Sequence, residues 1–212
     1  MSIVLFGPPG AGKGTQSAML IEKAGKKHIS TGDLFRYAMK NDTPLGVEAK
    51  GYVNKGQLVP DTITIGLVKE VLENAKTEDY IFDGFPRNEK QAEALEDLVQ
   101  GMGAQPITKA LFLEVPQEVL MGRLTGRRLC RNCGAVYHVE HNPTSKEDVC
   151  DKCGGEVYQR KDDGVDVIST RLQAYEESTS PLKTYYQQKG IFVAVDGIGS
   201  ANEVFDRIQG QL

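Results

Sequence analysis

Short, wholly apolar runs alternate with amphipathic stretches along most of this chain. Ile3-Val4-Leu5-Phe6, Tyr80-Ile81-Phe82, Ala110-Leu111-Phe112-Leu113 and Ile191-Phe192-Val193-Ala194-Val195 are apolar at consecutive positions, the third run continuing through Glu114 to Val115. That is the pattern of strands covered by helices on both faces. Lys27-His28-Ile29-Ser30 reads as a shorter, weaker strand. Between the strands, apolar side chains recur every three or four residues, as one face of a helix requires. The sets are Leu34, Phe35, Ala38 and Met39; Ile65, Val68, Leu72 and Ala75; Ala92, Leu95, Leu98 and Val99; and Val165, Ile168, Leu172 and Tyr175, which opens a long helix to about residue 188.

Local signals place the helix starts. Thr31 or Asp33 is an N-cap candidate, as is Asp61 or Thr62, and Pro116 suits a first helical turn. Residues 43–46 break the second helix, and a short one follows to about residue 55. Ser200-Ala201-Asn202-Glu203 has capping-box form and opens a last helix through Phe205 and Ile208. Two stretches interrupt the alternation. Residues 27–60 read as short helices between core elements, and 126–163 are rich in Gly, Cys, Asn, Asp and Lys with little periodicity. Without them the expectation is an α/β fold: a doubly wound parallel five-stranded sheet carrying two insertions.

Composition narrows the partners. Across 212 residues, 40% are hydrophobic and 25% charged, ordinary for a soluble domain, and the net charge of −4 offers no general attraction to nucleic acid or membrane. Phosphate must be bound by local clusters of Arg and Lys. No apolar stretch approaches a membrane span, and residues 2–6 are too short for a signal peptide, so a cytosolic protein is expected.

The first such cluster follows the first strand: Gly7-Pro8-Pro9-Gly10-Ala11-Gly12-Lys13-Gly14-Thr15, with a helix leading out from Lys13 to about residue 24. Strand, glycine loop and helix form the setting of a phosphate-binding loop. Glycines bring backbone N–H groups close to phosphate oxygens, the helix N-terminus adds partial positive charge, and Lys13 adds a full one. Gly14 stands where Ser or Thr is usual, and the hydroxyl comes one place later at Thr15. The strand ending at Asp83 suits a carboxylate that holds Mg²⁺ or its waters, though a plain strand-end turn acid fits the same pattern.

All four cysteines fall in two C-x-x-C pairs, Cys130 with Cys133 and Cys150 with Cys153, separated by sixteen residues and each followed by glycine. This is the spacing of a structural zinc site, closed by four thiolates. A redox dithiol sits at a helix N-terminus, unlike this region. A nucleic-acid zinc ribbon needs a basic patch, whereas the surroundings here are mixed in sign. His138 and His141 are competing ligands in principle but read better as loop residues. Arg123, Arg127, Arg160 and Arg171 flank the cysteine segment, and folding it down would bring their planar donors onto phosphates at the glycine loop. Arg123 and Arg127 share a helix face if the helix extends that far. Arg128 reads equally well as a solvated residue.

Taken together, the glycine loop, Ile29-Ser30-Thr31-Gly32-Asp33-Leu34-Phe35-Arg36, Asp83-Gly84-Phe85-Pro86-Arg87, Leu124-Thr125-Gly126-Arg127-Arg128 and the cysteine pairs resemble the adenylate kinases, over almost the entire chain. In that family Lys-Gly-Thr is the normal ending of the loop. The match is to the bacterial long-lid form with a zinc-bearing lid. The resemblance implies reversible transfer of the γ-phosphoryl of MgATP to AMP, giving two ADP. It also implies a core of residues 1–29, 60–125 and 164–212, an AMP-binding lobe at 30–59 and a lid at 126–163.

Carried over by motif, Gly10, Ala11, Gly12, Lys13, Gly14 and Thr15 cradle ATP, with Arg123, Arg127, Val136, Tyr137 and the Gly199 backbone. Thr31, Arg36, Gln57, Leu58, Val59, Gly84, Phe85, Pro86 and Arg87 hold AMP, and Gln91 reads the adenine edge. Arg160 and Arg171 clamp the phosphates. Lys13, Arg87, Arg127, Arg160 and Arg171 neutralise charge during transfer, and Asp83, with Asp33 as a second candidate, orients Mg²⁺ through water. No covalent intermediate or general base is required. After Asp162 and Asp163 the chain lacks the expected acidic continuation. A UMP/CMP- or GMP-type kinase would use the same mechanism. A GTPase-type switch would want Asn-Lys-x-Asp, and Asn54-Lys55-Gly56-Gln57 ends in Gln. A monomer is expected.

Overall fold

The computed structural model describes residues 1–74 and 79–212. The strands of the main sheet are β1 (Ser2–Phe6), β2 (Lys27–Ser30), β3 (Tyr80–Asp83), β4 (Ile107–Glu114) and, last in the chain, β8 (Phe192–Asp196). They lie in the order β2-β3-β1-β4-β8, all parallel. Val4 pairs with Phe82 and Ala110, and Leu5 with Asp83 and Leu111. Alternate residues of each strand enter opposite cores, which is why the runs are apolar without a break. Val4, Phe6, Phe82 and Phe112 pack on one face against α4 (Asp61–Glu73), α5 (Glu89–Gly101) and α8 (Leu182–Gln188). Ile3, Leu5, Ile81, Leu111 and Leu113 pack on the other with α1 (Lys13–Ala24) and α9 (Ala201–Gln209). The chain grows outward on both sides of β1, so the crevice at the carboxyl ends of β1 and β3 is the expected ligand position of such a sheet.

The first insertion is α2 (Thr31–Lys40) and α3 (Pro44–Asn54), which share a small core of Phe35, Ala49 and Val59. The second follows α6 (Gln117–Thr125) and is a three-stranded antiparallel sheet, with β5 (Arg127–Cys130) between β6 (Val136–His138) and β7 (Val157–Tyr158). Its interior is mainly Cys130, Tyr137, Cys150 and Val157. That is too little apolar surface to hold a lobe of this size by itself.

Several expectations are corrected in detail. Ser30, not Thr31 or Asp33, caps α2, accepting from the Asp33 N–H, because the Thr31 hydroxyl donates to Gly84 O at 2.8 Å. Neither Asp61 nor Thr62 caps α4: Pro60 holds that position, and Asp61 accepts from Asn88 and Gln91 instead. Thr43 begins α3 rather than merely breaking α2; its hydroxyl caps the helix ahead of Pro44. Pro116 lies at the N-cap of α6, one place before its first turn. The long helix expected from 165 to 188 is α7 (Val165–Ala174), a widened turn at Tyr175–Thr179, then α8. Pro181 has no N–H to continue the ladder, and the Ser180 N–H reaches back five residues to Tyr175 O. Ala75, expected in the buried stripe of α4, lies outside the described residues.

Candidate active site

The loop after β1 owes its shape to glycine. Gly10 and Gly12 have φ of +86° and +100°, and a Cβ on Gly10 would meet Leu124 and the Leu120 carbonyl of α6 at 3.0–3.3 Å. Gly12 caps α1 without offering a side-chain acceptor, so the first N–H groups of that helix are left for a ligand. Gly14 has open space around it, and nothing in the fold demands a hydroxyl there. Lys13 folds back over the loop, its Nζ donating to Gly7 O at 2.8 Å and Pro8 O at 3.0 Å. The side chain keeps some surface toward the cleft while the ammonium sits deep among protein atoms. Burial pushes its pKa down to about 8, with Asp83 opposing and Arg87, Arg171 and Arg127 adding to the fall.

Asp83 is 8% exposed at the end of β3 and receives the Ser17 hydroxyl at 3.3 Å, with His28 Nε2 at 3.4 Å. Asp33, the second magnesium candidate, is paired with Arg36. The crevice opens into a cleft of about 660 Å³, and a smaller cavity of about 80 Å³ adjoins it. Gly10, Ala11, Gly12, Lys13, Gly14, Thr15, Asp83, Gly84, Pro86, Arg123, Arg127, Val136, Tyr137 and Gly199 line the cleft. Thr31, Gln57, Val59 and Gln91 line the small cavity. Arg36, Leu58, Arg87, Arg160 and Arg171 line both.

Three expected contacts take a different form. Phe85 lines neither cavity; its side chain is 1% exposed and packs in the core between sheet and helices. Gln91 is stretched between the Arg87 N–H and Asp61, which leaves one N–H and one lone pair on its amide for a base. Tyr137 lines the cleft, but its hydroxyl is taken by Cys150 Sγ at 3.3 Å and the Asp151 N–H at 2.9 Å. Arg127 does not share a helix face with Arg123, because α6 ends at Thr125 and Arg127 opens β5. Arg128 is more than a solvated residue: it donates to Thr125 O, at the end of α6.

Reading motifs alone missed the residues that hold the arginines in place. The Asp163 side chain is fully buried and takes Arg127 in a two-point pair, 2.8 and 2.5 Å, and Arg171 at 3.0 Å. Asp162 pairs with Arg160 and lies 3.2 Å from Arg171. Burial works to raise the Asp162 carboxyl, but Arg160, Arg171 and Arg36 outweigh it and hold the group well below the usual carboxylate range. Its stabilising effect is full above about pH 4 and runs down as pH falls from there toward the depressed native value. Arg171 is lowered to about 10, by burial first and then, against Asp162, by the charges of Arg160 and Arg127. Lys13, Arg36, Arg87, Arg123, Arg127, Arg160 and Arg171 thus share the region with only Asp33, Asp83, Asp162 and Asp163 among the described residues.

In the second insertion the four cysteine sulfurs lie within 4.8 Å of one another, with Cys130–Cys153 at 3.4 Å and Cys133–Cys150 at 3.6 Å. Thiolates tetrahedral about zinc at ~2.3 Å stand about 3.8 Å apart, so the set fits a four-coordinate ion and leaves no open position. The Tyr137 hydroxyl lowers the Cys150 thiol to about 6. His138 and His141 are not in the cluster; they stack on each other, centroids 4.5 Å apart.

A doubly wound sheet, a glycine loop at its crevice, and lysine and arginines converging there define a P-loop phosphotransferase. Comparison with known proteins is in accord. The adenylate kinase family profile matches residues 5–191. The adenylate kinase of Bacillus licheniformis is 52% identical over 210 residues, covering 99% of this chain and 96% of that protein. That of Carboxydothermus hydrogenoformans is 50% identical over 213 residues, 100% and 99% of the two chains. The chain belongs to the adenylate kinase family. It is a nucleoside monophosphate kinase, ATP + AMP = 2 ADP, and enzymes of this family use Mg²⁺ with ATP. No helix among the described residues is long and apolar enough to cross a membrane.

Proposed function

We propose that ATP binds the larger cleft with its phosphates on residues 10–15, and that AMP binds the smaller cavity between residues 31–59 and Arg87. The observation that carries this assignment is the wall of arginines common to both cavities, Arg36, Arg87, Arg160 and Arg171. Two nucleotides held from either side would present their phosphates to each other across that wall. Transfer then needs no covalent intermediate: positioning, charge neutralisation and exclusion of water carry it. Lys13 neutralises the moving group, Arg123 and Arg127 hold the donor, and Asp83 orients magnesium through its waters. Residues 126–163 act as the lid, 30–59 as the acceptor lobe and the rest as the core. Cytosolic location and a monomeric state complete the reading.

Specificity for adenine at the acceptor site rests on Thr31 and on the Gln91 amide, fixed in orientation by Arg87 and Asp61. A coupled assay with AMP, UMP, CMP and GMP tests it. AMP is expected to exceed the others in kcat/KM by at least about 100-fold, as a hydrogen-bonding site discriminates. Equal use of UMP or CMP would transfer the enzyme to the pyrimidine class.

The cysteine cluster is proposed to hold a structural zinc that substitutes for a hydrophobic core in the lid. Cys130→Ala is expected to abolish the bound zinc and lower the melting temperature. Turnover should fall by less than about tenfold, since a closed site offers no position to substrate. Unchanged metal content, read by atomic emission, would contradict the four-thiolate assignment.

A further inference from the structure

One of the contacts that fasten the second insertion to the core is made by a histidine ring. His138, at the end of β6, reaches across to the last turn of α6, its Nε2 lying 3.1 Å from Gly122 O. Its Nδ1 faces the N–H groups of Glu140 at 3.1 Å and His141 at 3.3 Å. Two donors aimed at Nδ1 require a lone pair there, so the ring is assigned the Nε2–H tautomer and donates to the Gly122 carbonyl. The ring lies directly over Gly126, where a Cβ would fall 2.2 Å from Nε2 and 2.3 Å from Cε1. Gly126 itself has ordinary helical backbone angles, φ −81° and ψ −10°. Its lack of a side chain serves the ring and not the turn.

We propose that His138 and Gly126 form a latch that sets how the lobe of residues 126–163 is carried on α6, making His138 a positioning residue for donor binding. Arg127 pairs with His138 in the β5–β6 ladder, and Arg123 lies on α6 itself. The latch therefore joins the two elements whose arginines face the donor cleft. This rests on the lid assignment proposed above.

The test is a set of steady-state measurements on the full-length enzyme, where KM is independent of the fraction that folds. His138→Ala and Gly126→Ala are each expected to raise KM for ATP about 3–10-fold, the scale of losing one positioning hydrogen bond, with KM for AMP changed less than about twofold. His138→Asn separates two roles, since its short side chain can still accept from Glu140 and His141 but cannot reach Gly122. It should behave like His138→Ala; wild-type kinetics would mean the ring only shapes the local turn, and would overturn the latch. The double variant should be no worse than either single one, because the methyl group added at position 126 then has no ring to displace. Multiplied effects would also overturn it. Arg127→Ala is the reference for the underlying assignment. If it leaves KM for ATP unmoved, the lid assignment fails; if it raises KM while the His138 variants do not, only the latch fails.

Discussion

Lys13→Met is expected to lower turnover by on the order of 10²–10³, the scale of removing one preorganised donor from a developing charge. The Gly7 and Pro8 carbonyls hold the ammonium over the loop and take two of its three N–H donors, which leaves one for a phosphate oxygen. Methionine keeps the length and apolar stem, and thermal melting should change little. A second signature comes from the lowered pKa of about 8. Bound polyphosphate places negative charge beside the ammonium and raises that pKa again. Above about pH 8, ATP binding to the wild-type enzyme is then accompanied by proton uptake, and binding to Lys13→Met is not. Titration calorimetry in buffers of different ionisation enthalpy reads the difference. Near-normal turnover in the variant would remove Lys13 from the mechanism.

Asp163→Ala is expected to damage stability and activity together. Its buried carboxylate is the common partner of Arg127 and Arg171, whose side chains are 20% and 17% exposed. Removing one partner from a buried ion pair costs about 3–5 kcal/mol, because charges are left uncompensated. The cleft gives both arginines some water, which argues for the lower end, about 3 kcal/mol, or roughly 6–12 °C in melting temperature for a chain of this size. Activity should fall as well, since two cleft-lining guanidinium groups lose the anchor that fixes their direction. Asp163→Asn, which keeps the shape and one acceptor, should fall between wild type and the alanine variant. A melting temperature of Asp163→Ala within about 1 °C of wild type would show that the pair is dispensable.

Much of the fold is legible in the residues because periodicity and motif spacing report local structure. Consecutive apolar runs announce the buried parallel strands, and the glycine loop, Asp83 and the cysteine spacing announce chemistry that depends on a few neighbouring positions. The losses have a common cause. Asp61, Phe85 and Gln91 escape a local reading because Asp61 meets Asn88 and Gln91 from far along the chain, and Phe85 enters the main core, contacts that only tertiary packing fixes. Asp162 and Asp163 carry no local signal of their role, yet the fold turns them inward against Arg127 on β5, Arg171 on α7 and Arg160 in the segment after β7. His138 reads as a loop residue because nothing near it in sequence announces the α6 carbonyl it meets. The arginines themselves are the exception. Their grouping around 126–163 makes sense only if that segment comes close to the loop, and Arg123, Arg127, Arg160 and Arg171 do line one cleft with Gly10 and Lys13.

The central claim is direct transfer between two nucleotides held across a shared arginine wall. The stereochemical course at phosphorus tests it most directly, using ATP whose γ-phosphoryl is made chiral by isotopic labelling. A single in-line transfer to AMP inverts that centre, which is the result predicted here. Retention would mean two successive transfers through a phosphorylated side chain, and would contradict the account.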